Sequence, residues 1–164
     1  MPYPWSMSEH QAFLDAAYAC LGPRGLTVDA ELMPPWLSDW RGRFHGQALA
    51  LASPANTQEL SALVTLCARH RIPIVPQGGN SGMAGGATPD ESGHALLLSL
   101  RRMNTMNAID TQGRKVTCGA GVILQTLHDA AEEQDLRFPL TLGGKGSATI
   151  GGLISTNAGG TQVL

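Results

Sequence analysis

The residues of this chain best suited to chemistry are small ones, gathered in two stretches. Residues 76–89 read PQGGNSGMAGGATP and set Gly78, Gly79, Gly82 and Gly86 around Asn80, Ser81 and Ala87. Residues 138–160 read FPLTLGGKGSATIGGLISTNAGG, with seven glycines among Ser147, Thr149, Ser155, Thr156 and Asn157 and a single charge, Lys145. Glycine loses the most backbone freedom on folding, so it is kept where the chain needs positive φ or where something approaches the backbone closely. Consecutive small residues let backbone N–H groups converge on an anion, the arrangement called a nest. Ile150, Leu153 and Ile154 make the second stretch too apolar for a flexible linker, and its glycines argue against a regular helix or strand. Two such walls, about seventy residues apart, suit an elongated ligand gripped at a pyrophosphate and again along a planar ring.

Competing phosphate motifs are missing. The dinucleotide fingerprint GxGxxG does not occur in GGNSGMAGG, no helix-period run follows it, and no acidic residue stands about twenty positions on, which counts against an NAD-type Rossmann domain. The Walker pattern GxxxxGK[ST] is absent too. The five histidines, His10, His45, His70, His94 and His128, fall in different elements with no metal-ligand spacing and no Ser/His/Asp arrangement. No residue is assigned a catalytic role and no metal ligand is expected.

The elements that must position the two stretches follow from periodicity. Ser6-x-x-Glu9 reads as a capping box, and Phe13, Ala16, Ala17, Cys20 and Leu21 form one helical face stopped by Gly22-Pro23. Residues 32–46 (LMPPWLSDWRGRFHG) are irregular, a surface segment anchored by Trp36 and Trp40, with Arg41 or Arg43 as alternative phosphate contacts. Residues 48–52 (ALALA) read as a buried strand. Asn56 caps a second helix with its face on Leu60, Leu63, Val64, Cys67 and Ala68, ending near Arg69-His70. Residues 72–76 form a short strand whose end delivers the first glycine loop. Residues 95–100 (ALLLSL) make another buried strand. Residues 106–110 and 115–118 pair as a hairpin around Thr111-Gln112-Gly113, and Ile123, Leu127, Ala130 and Ala131 mark a third helix through Gln134.

Composition sets the class. The chain has 164 residues, 43% of them hydrophobic and 15% charged, which supports one buried core or part of a larger domain. Its net charge of −2, lack of a basic run and few aromatics argue against nucleic acid. Cys20, Cys67 and Cys118 are far apart and read as reduced thiols in or near the core. The first residues lack the basic and apolar regions of a signal peptide, and no run of about 18 apolar residues spans a membrane. Cytoplasm is the expected compartment, with peripheral membrane association left open.

PIVPQGGNSGMAGGATPD followed by FPLTLGGKGSATIGGLISTNAGG closely resembles the FAD-binding domain of vanillyl-alcohol oxidase and p-cresol methylhydroxylase (PCMH) type flavoproteins, and most of all the FAD-linked D-2-hydroxyacid dehydrogenases. The likeness runs from about Trp40 to the last residue, and the order of the motifs makes it specific. It implies an α+β fold, the N-terminal part of a PCMH-type domain, with a small sheet flanked by helices plus a β-hairpin. Residues 1–46 would be a helix and lead-in, and 47–164 an incomplete FAD-binding domain. Carried over by position, Gly78, Gly79, Asn80, Ser81 and Gly82 wrap the pyrophosphate and Gly86 and Ala87 close the turn. Ser147, Gly151, Gly152, Asn157 and Gly159, with Thr156 and Gly144, line the flavin side and the pyrophosphate. Ser81 and Ser147 can donate to phosphate and flavin oxygens without adding a full positive charge. Relatives with covalent flavin often carry a histidine after the paired glycines. Asn80 stands there, so the resemblance implies non-covalent FAD.

The family reaction is hydride transfer from the α-carbon of a 2-hydroxy acid to flavin, with a further electron acceptor. Family members continue well past NAGG into the rest of the FAD domain and a cap domain. The expectation is therefore an incomplete chain, with its catalytic base beyond Leu164. The alternative is a degenerate flavin domain that serves as a non-catalytic binding or assembly module.

Overall fold

The computed structural model describes residues 7–161. Ser6 of the expected capping box lies outside them, as do Gln162, Val163 and Leu164. Four strands form one mixed sheet in the order β1-β2-β4-β3: β1 is Leu26–Thr27, β2 Ala50–Ala52, β3 Ile74–Gln77 and β4 Leu96–Ser99. β1 runs antiparallel to β2, whereas β2 and β3 both lie parallel to β4. The helices are α1 (Met7–Leu21), α2 (Thr57–His70), α3 (Leu124–Glu132) and α4 (Ile150–Ser155).

β2 and the Leu96–Leu98 part of β4 are unbroken apolar runs because both of their faces are covered. Alternate side chains point to opposite faces. Ala50, Ala52, Leu96 and Leu98 meet Phe13 and Ala17 of α1 and Leu63 and Cys67 of α2. Leu51 and Leu97 meet Met33, Trp36 and Val75 on the other face. Phe13, Leu63, Leu96 and Leu97 are wholly buried. A separate cluster of Leu124, Leu140, Ala148 and Leu153 packs α3 and α4 against the second glycine stretch.

Helix ends follow local chemistry. Gly22 takes φ +66° after α1. Asn56 Oδ1 accepts from Glu59 N, while Glu59 Oε2 accepts from Ala55 N, so two donors at the start of α2 are satisfied reciprocally. Arg71 ends α2 in the left-handed region at φ 57°.

Several expectations change. On α2, Val64 and Ala68 face solvent and Leu66 packs inward, because the core contact follows Leu60, Leu63 and Cys67. On α3, Ile123 is the exposed residue before the helix and Leu124 takes the buried place. That helix stops at Glu132, and the chain reverses through Asp135 at φ 53°. The 106–118 segment pairs only through the bridges Met106↔Cys118 and Asp110↔Lys115, and Arg114, not Gly113, takes the left-handed position of its turn. β1 is an unanticipated strand, and α4 forms inside a stretch whose glycines argued against a helix. Trp40 is 57% exposed, so Trp36 alone of the two rings anchors the lead-in.

Candidate functional site

The register Gln77↔Ser99 ends β3 and β4 at the same level of the sheet. The first glycine loop and the 100–104 turn therefore leave the carboxyl ends of two adjacent parallel strands side by side, the edge at which open α/β sheets bind ligands.

Gln77 is buried, and its Nε2 donates to Trp36 O at 3.0 Å and Ala87 O at 2.8 Å. Its amide closes the base of loop 78–87 and ties it to the lead-in. Gln77 Oε1 is buried with no hydrogen-bond partner among the described residues. Asn80 takes φ 53°, and its Nδ2 donates to Ser38 O at 2.7 Å. Arg101 spans two loop carbonyls, Nε to Gly78 O at 3.1 Å and Nη2 to Gly79 O at 3.2 Å, while its guanidinium lies 4.6 Å over the Trp36 ring. None of the N–H groups of residues 78–87 donates to a protein acceptor among the described residues.

The second stretch lies directly against this loop. A Cβ on Gly79 would land on Ser147 O, and one on Gly78 would meet Thr149 Oγ1. A Cβ on Gly144 would stand 3.4 Å from Ser81 Cβ. Gly144 O accepts from Ser147 N and Ala148 N, which makes the tight turn before the contact. Leu124 N donates to Ala148 O at 2.9 Å and Ile150 N to Val122 O at 2.8 Å, so the start of α3 holds this wall in place. Thr149 is buried with its hydroxyl unpartnered among the described residues. It also lines a cavity of about 260 Å³ together with Arg101, Asn104, Val122, Thr126 and Ser147.

The expected site residues therefore divide. Gly78, Gly79, Ser81, Gly144 and Ser147 come together, Ala87 closes the loop, and Asn80 turns it. Gly82 and Gly86 have open space where a side chain would stand. Gly151 acts by close approach: its N–H already donates to Ala120 O, and a Cβ there would be 2.6 Å from Ala120 Cβ. Gly152 O accepts from Thr156 N and Thr156 Oγ1. Thr156, Asn157 (φ 47°) and the exposed Gly159 lie past the far end of α4, a helix about 9 Å long at 1.5 Å per residue.

Sequence reading missed Gln77, Arg101, Thr149 and Ser38. Only Gln77 carried a signal, a polar side chain at the end of an otherwise apolar strand. The lead-in is organised by Asp39, whose Oδ1 accepts from Arg43 N at 2.7 Å and Phe44 N at 2.8 Å and whose Oδ2 accepts from Arg41 N at 3.3 Å. The Phe44 N–H first, with those of Arg43 and Arg41, holds this carboxyl below its usual range against the opposing effect of burial. The Arg41 guanidinium stacks 4.8 Å over Trp40, and neither the Arg41 nor the Arg43 side chain bonds to loop 78–87. Among the described residues no group of three or more His, Cys, Asp or Glu side chains could hold a metal ion.

This arrangement fits a phosphate-bearing cofactor. It offers backbone donors and a buried hydroxyl that have no partner among the described residues, and glycines with open space in front of them. The family described as FAD binding domain matches residues 48–164. A rice (Oryza sativa subsp. indica) protein named probable D-2-hydroxyglutarate dehydrogenase, mitochondrial, is 37% identical over 154 residues, covering 92% of this chain and 27% of that protein. A putative mitochondrial D-lactate dehydrogenase of Schizosaccharomyces pombe is 36% identical over 128 residues, covering 77% of this chain and 24% of that protein. The solved structure of p-cresol methylhydroxylase with substrate bound superposes with a TM-score of 0.75 at 19% identity, over 94% of this chain and 30% of that one, so the PCMH-type fold is shared. The chain spans about a quarter of the length of the curated relatives it matches. By its two facing glycine walls and by this match, the chain belongs to the FAD-binding domain family.

Proposed function

We propose that this chain forms the phosphate-gripping part of the FAD site in a flavin-dependent oxidoreductase that oxidises a D-2-hydroxy acid of the lactate, glycolate or 2-hydroxyglutarate type. The observation that carries the proposal is the contact of Gly78 and Gly79 with Thr149 and Ser147, beside loop N–H groups that have no protein acceptor among the described residues. Loop 78–87 would donate to the pyrophosphate, with Ser81 and Ser147 adding hydroxyl donors. Gly144, Gly151 and Gly152 would let the second wall approach, and Thr156, Asn157 and Gly159 would extend it along the ligand. The redox chemistry belongs to bound FAD, which supplies the acceptor for a hydride from the substrate's α-carbon. This chain's own residues bind and orient.

The names of the rice and fission-yeast relatives support a D-2-hydroxy acid as substrate. Turnover also requires an acceptor that reoxidises the flavin. FAD is held without a covalent bond, since Asn80 cannot form one and its amide is engaged with Ser38 O. Among the described residues no helix is long and apolar enough to cross a membrane. We propose the cytoplasm as compartment. The relatives' names are mitochondrial, and cell fractionation decides between the two.

The test is anaerobic titration of the full-length flavoprotein with D-2-hydroxyglutarate, D-lactate and the achiral glycolate, with L-2-hydroxyglutarate and L-lactate as controls. Bleaching of the flavin band by a D-acid supports the proposal. A flavin left oxidised by all of them points to a non-catalytic flavin module.

A further inference from the structure

The geometry points to Arg101 as a positioning residue for cofactor binding: by holding the carbonyls of Gly78 and Gly79 it aims the N–H groups of Gly79 and Asn80 toward the cofactor's phosphates. This role rests on the flavin reading above.

In a planar trans peptide the C=O and the following N–H point in opposite directions. Fixing Gly78 O therefore fixes the Gly79 N–H on the far side of the chain, and fixing Gly79 O does the same for the Asn80 N–H. Neither N–H has a protein acceptor among the described residues. The change to φ 53° at Asn80 turns the chain there, the backbone condition for converging donors.

Arg101 is itself held in place. Its guanidinium stacks on Trp36, whose carbonyl accepts from Gln77 at the base of the same loop. The β3–β4 register delivers Arg101 beside Gly78. Among the described residues no carboxylate pairs with Arg101, so no competing ion pair draws it away from the two loop carbonyls. A guanidinium serves here because its rigid fork reaches two acceptors at once, which an ammonium on a flexible stem does not do.

The test uses full-length apoprotein titrated with FAD, read by quenching of flavin fluorescence, for wild type, Arg101→Ala and Arg101→Lys. The melting temperature of each apoprotein is measured alongside. Arg101 is exposed, so neither change opens a cavity in the core. Arg101→Ala is expected to raise the Kd for FAD about tenfold to a hundredfold, the range for losing charge-assisted hydrogen bonds. Its apoprotein melting temperature should stay close to wild type, so that the rise in melting temperature on adding FAD shrinks. Arg101→Lys should recover little of the affinity. An unchanged Kd in Arg101→Ala, full rescue by lysine, or an affinity loss matched by apoprotein destabilisation overturns the role. Wild-type apoprotein that takes up no FAD overturns the flavin reading itself.

Discussion

Gly79 and the carbonyl of Ser147 meet with no space between them for a side chain, so the two glycine stretches are in backbone contact. Gly79→Ala must push one wall off the other. It is expected to destabilise the protein by about 1–3 kcal/mol, the usual cost of overpacking, and to abolish FAD retention. Gly82→Ala is the control, since a Cβ there meets open space and the residue does not take positive φ. Its effect on apoprotein stability should stay within about 0.5 kcal/mol. Urea unfolding of the two apoproteins reads the difference.

Asn80 gives a prediction about attachment. Acid precipitation of the flavoprotein should leave the flavin in a yellow supernatant. Flavin that stays with the pellet through repeated washing contradicts non-covalent binding.

Asp39 ties stability to acid pH. Its carboxyl is held below the ordinary value by the N–H groups of Phe44, Arg43 and Arg41. A depressed folded pKa contributes stability that is fully present above the unfolded value, about 3.9, and lost as pH falls through the folded one. Asp39→Asn should therefore lower the urea midpoint at pH 7, with the gap to wild type closing as the solution is acidified below pH 4. A gap independent of pH contradicts this account of the lead-in.

Cys67 acts at the other end of the scale. Burial raises its thiol from 9.0 to about 11. A raised folded pKa contributes stability that is full below the unfolded value and lost as pH rises through the folded one. Stability should therefore decline between about pH 9 and about 11, and a Cys67→Ala variant should lack this decline. At pH 8 a thiol reagent should modify the partly buried Cys20 and Cys118 before Cys67. Cys67 reacting first would show that the α1–α2 layer opens.

What could be read from the chain was what a short window determines. The α1 face repeats at the helical period, the Asn56 cap is one residue with its partner three places on, and β2 and β4 are short apolar runs; each lies where those local signals put it. The two glycine stretches were visible as composition and order. What stayed hidden depends on distant partners. Arg101 looks like any charge after a strand until the Gln77↔Ser99 register sets it beside Gly78. Thr149 looks like one more small hydroxyl until Gly78 closes over it. Helix α4 forms despite Gly151 and Gly152 because Val122 and Ala120 accept from its first N–H groups and Leu153 joins the α3 cluster. Tertiary contact there outweighs a local propensity cost of about 1 kcal/mol per glycine.

Loop 78–87 and residues 144–149 are proposed to grip the phosphates of FAD. Parallel titrations of full-length apoprotein with FAD and with riboflavin, followed by flavin fluorescence, test this most directly. The expected result is saturable FAD binding with riboflavin at least a hundredfold weaker, since a charge-assisted hydrogen bond contributes about 1.5–3 kcal/mol and several would be lost. Equal affinity for the two flavins, or no uptake of FAD, would contradict it.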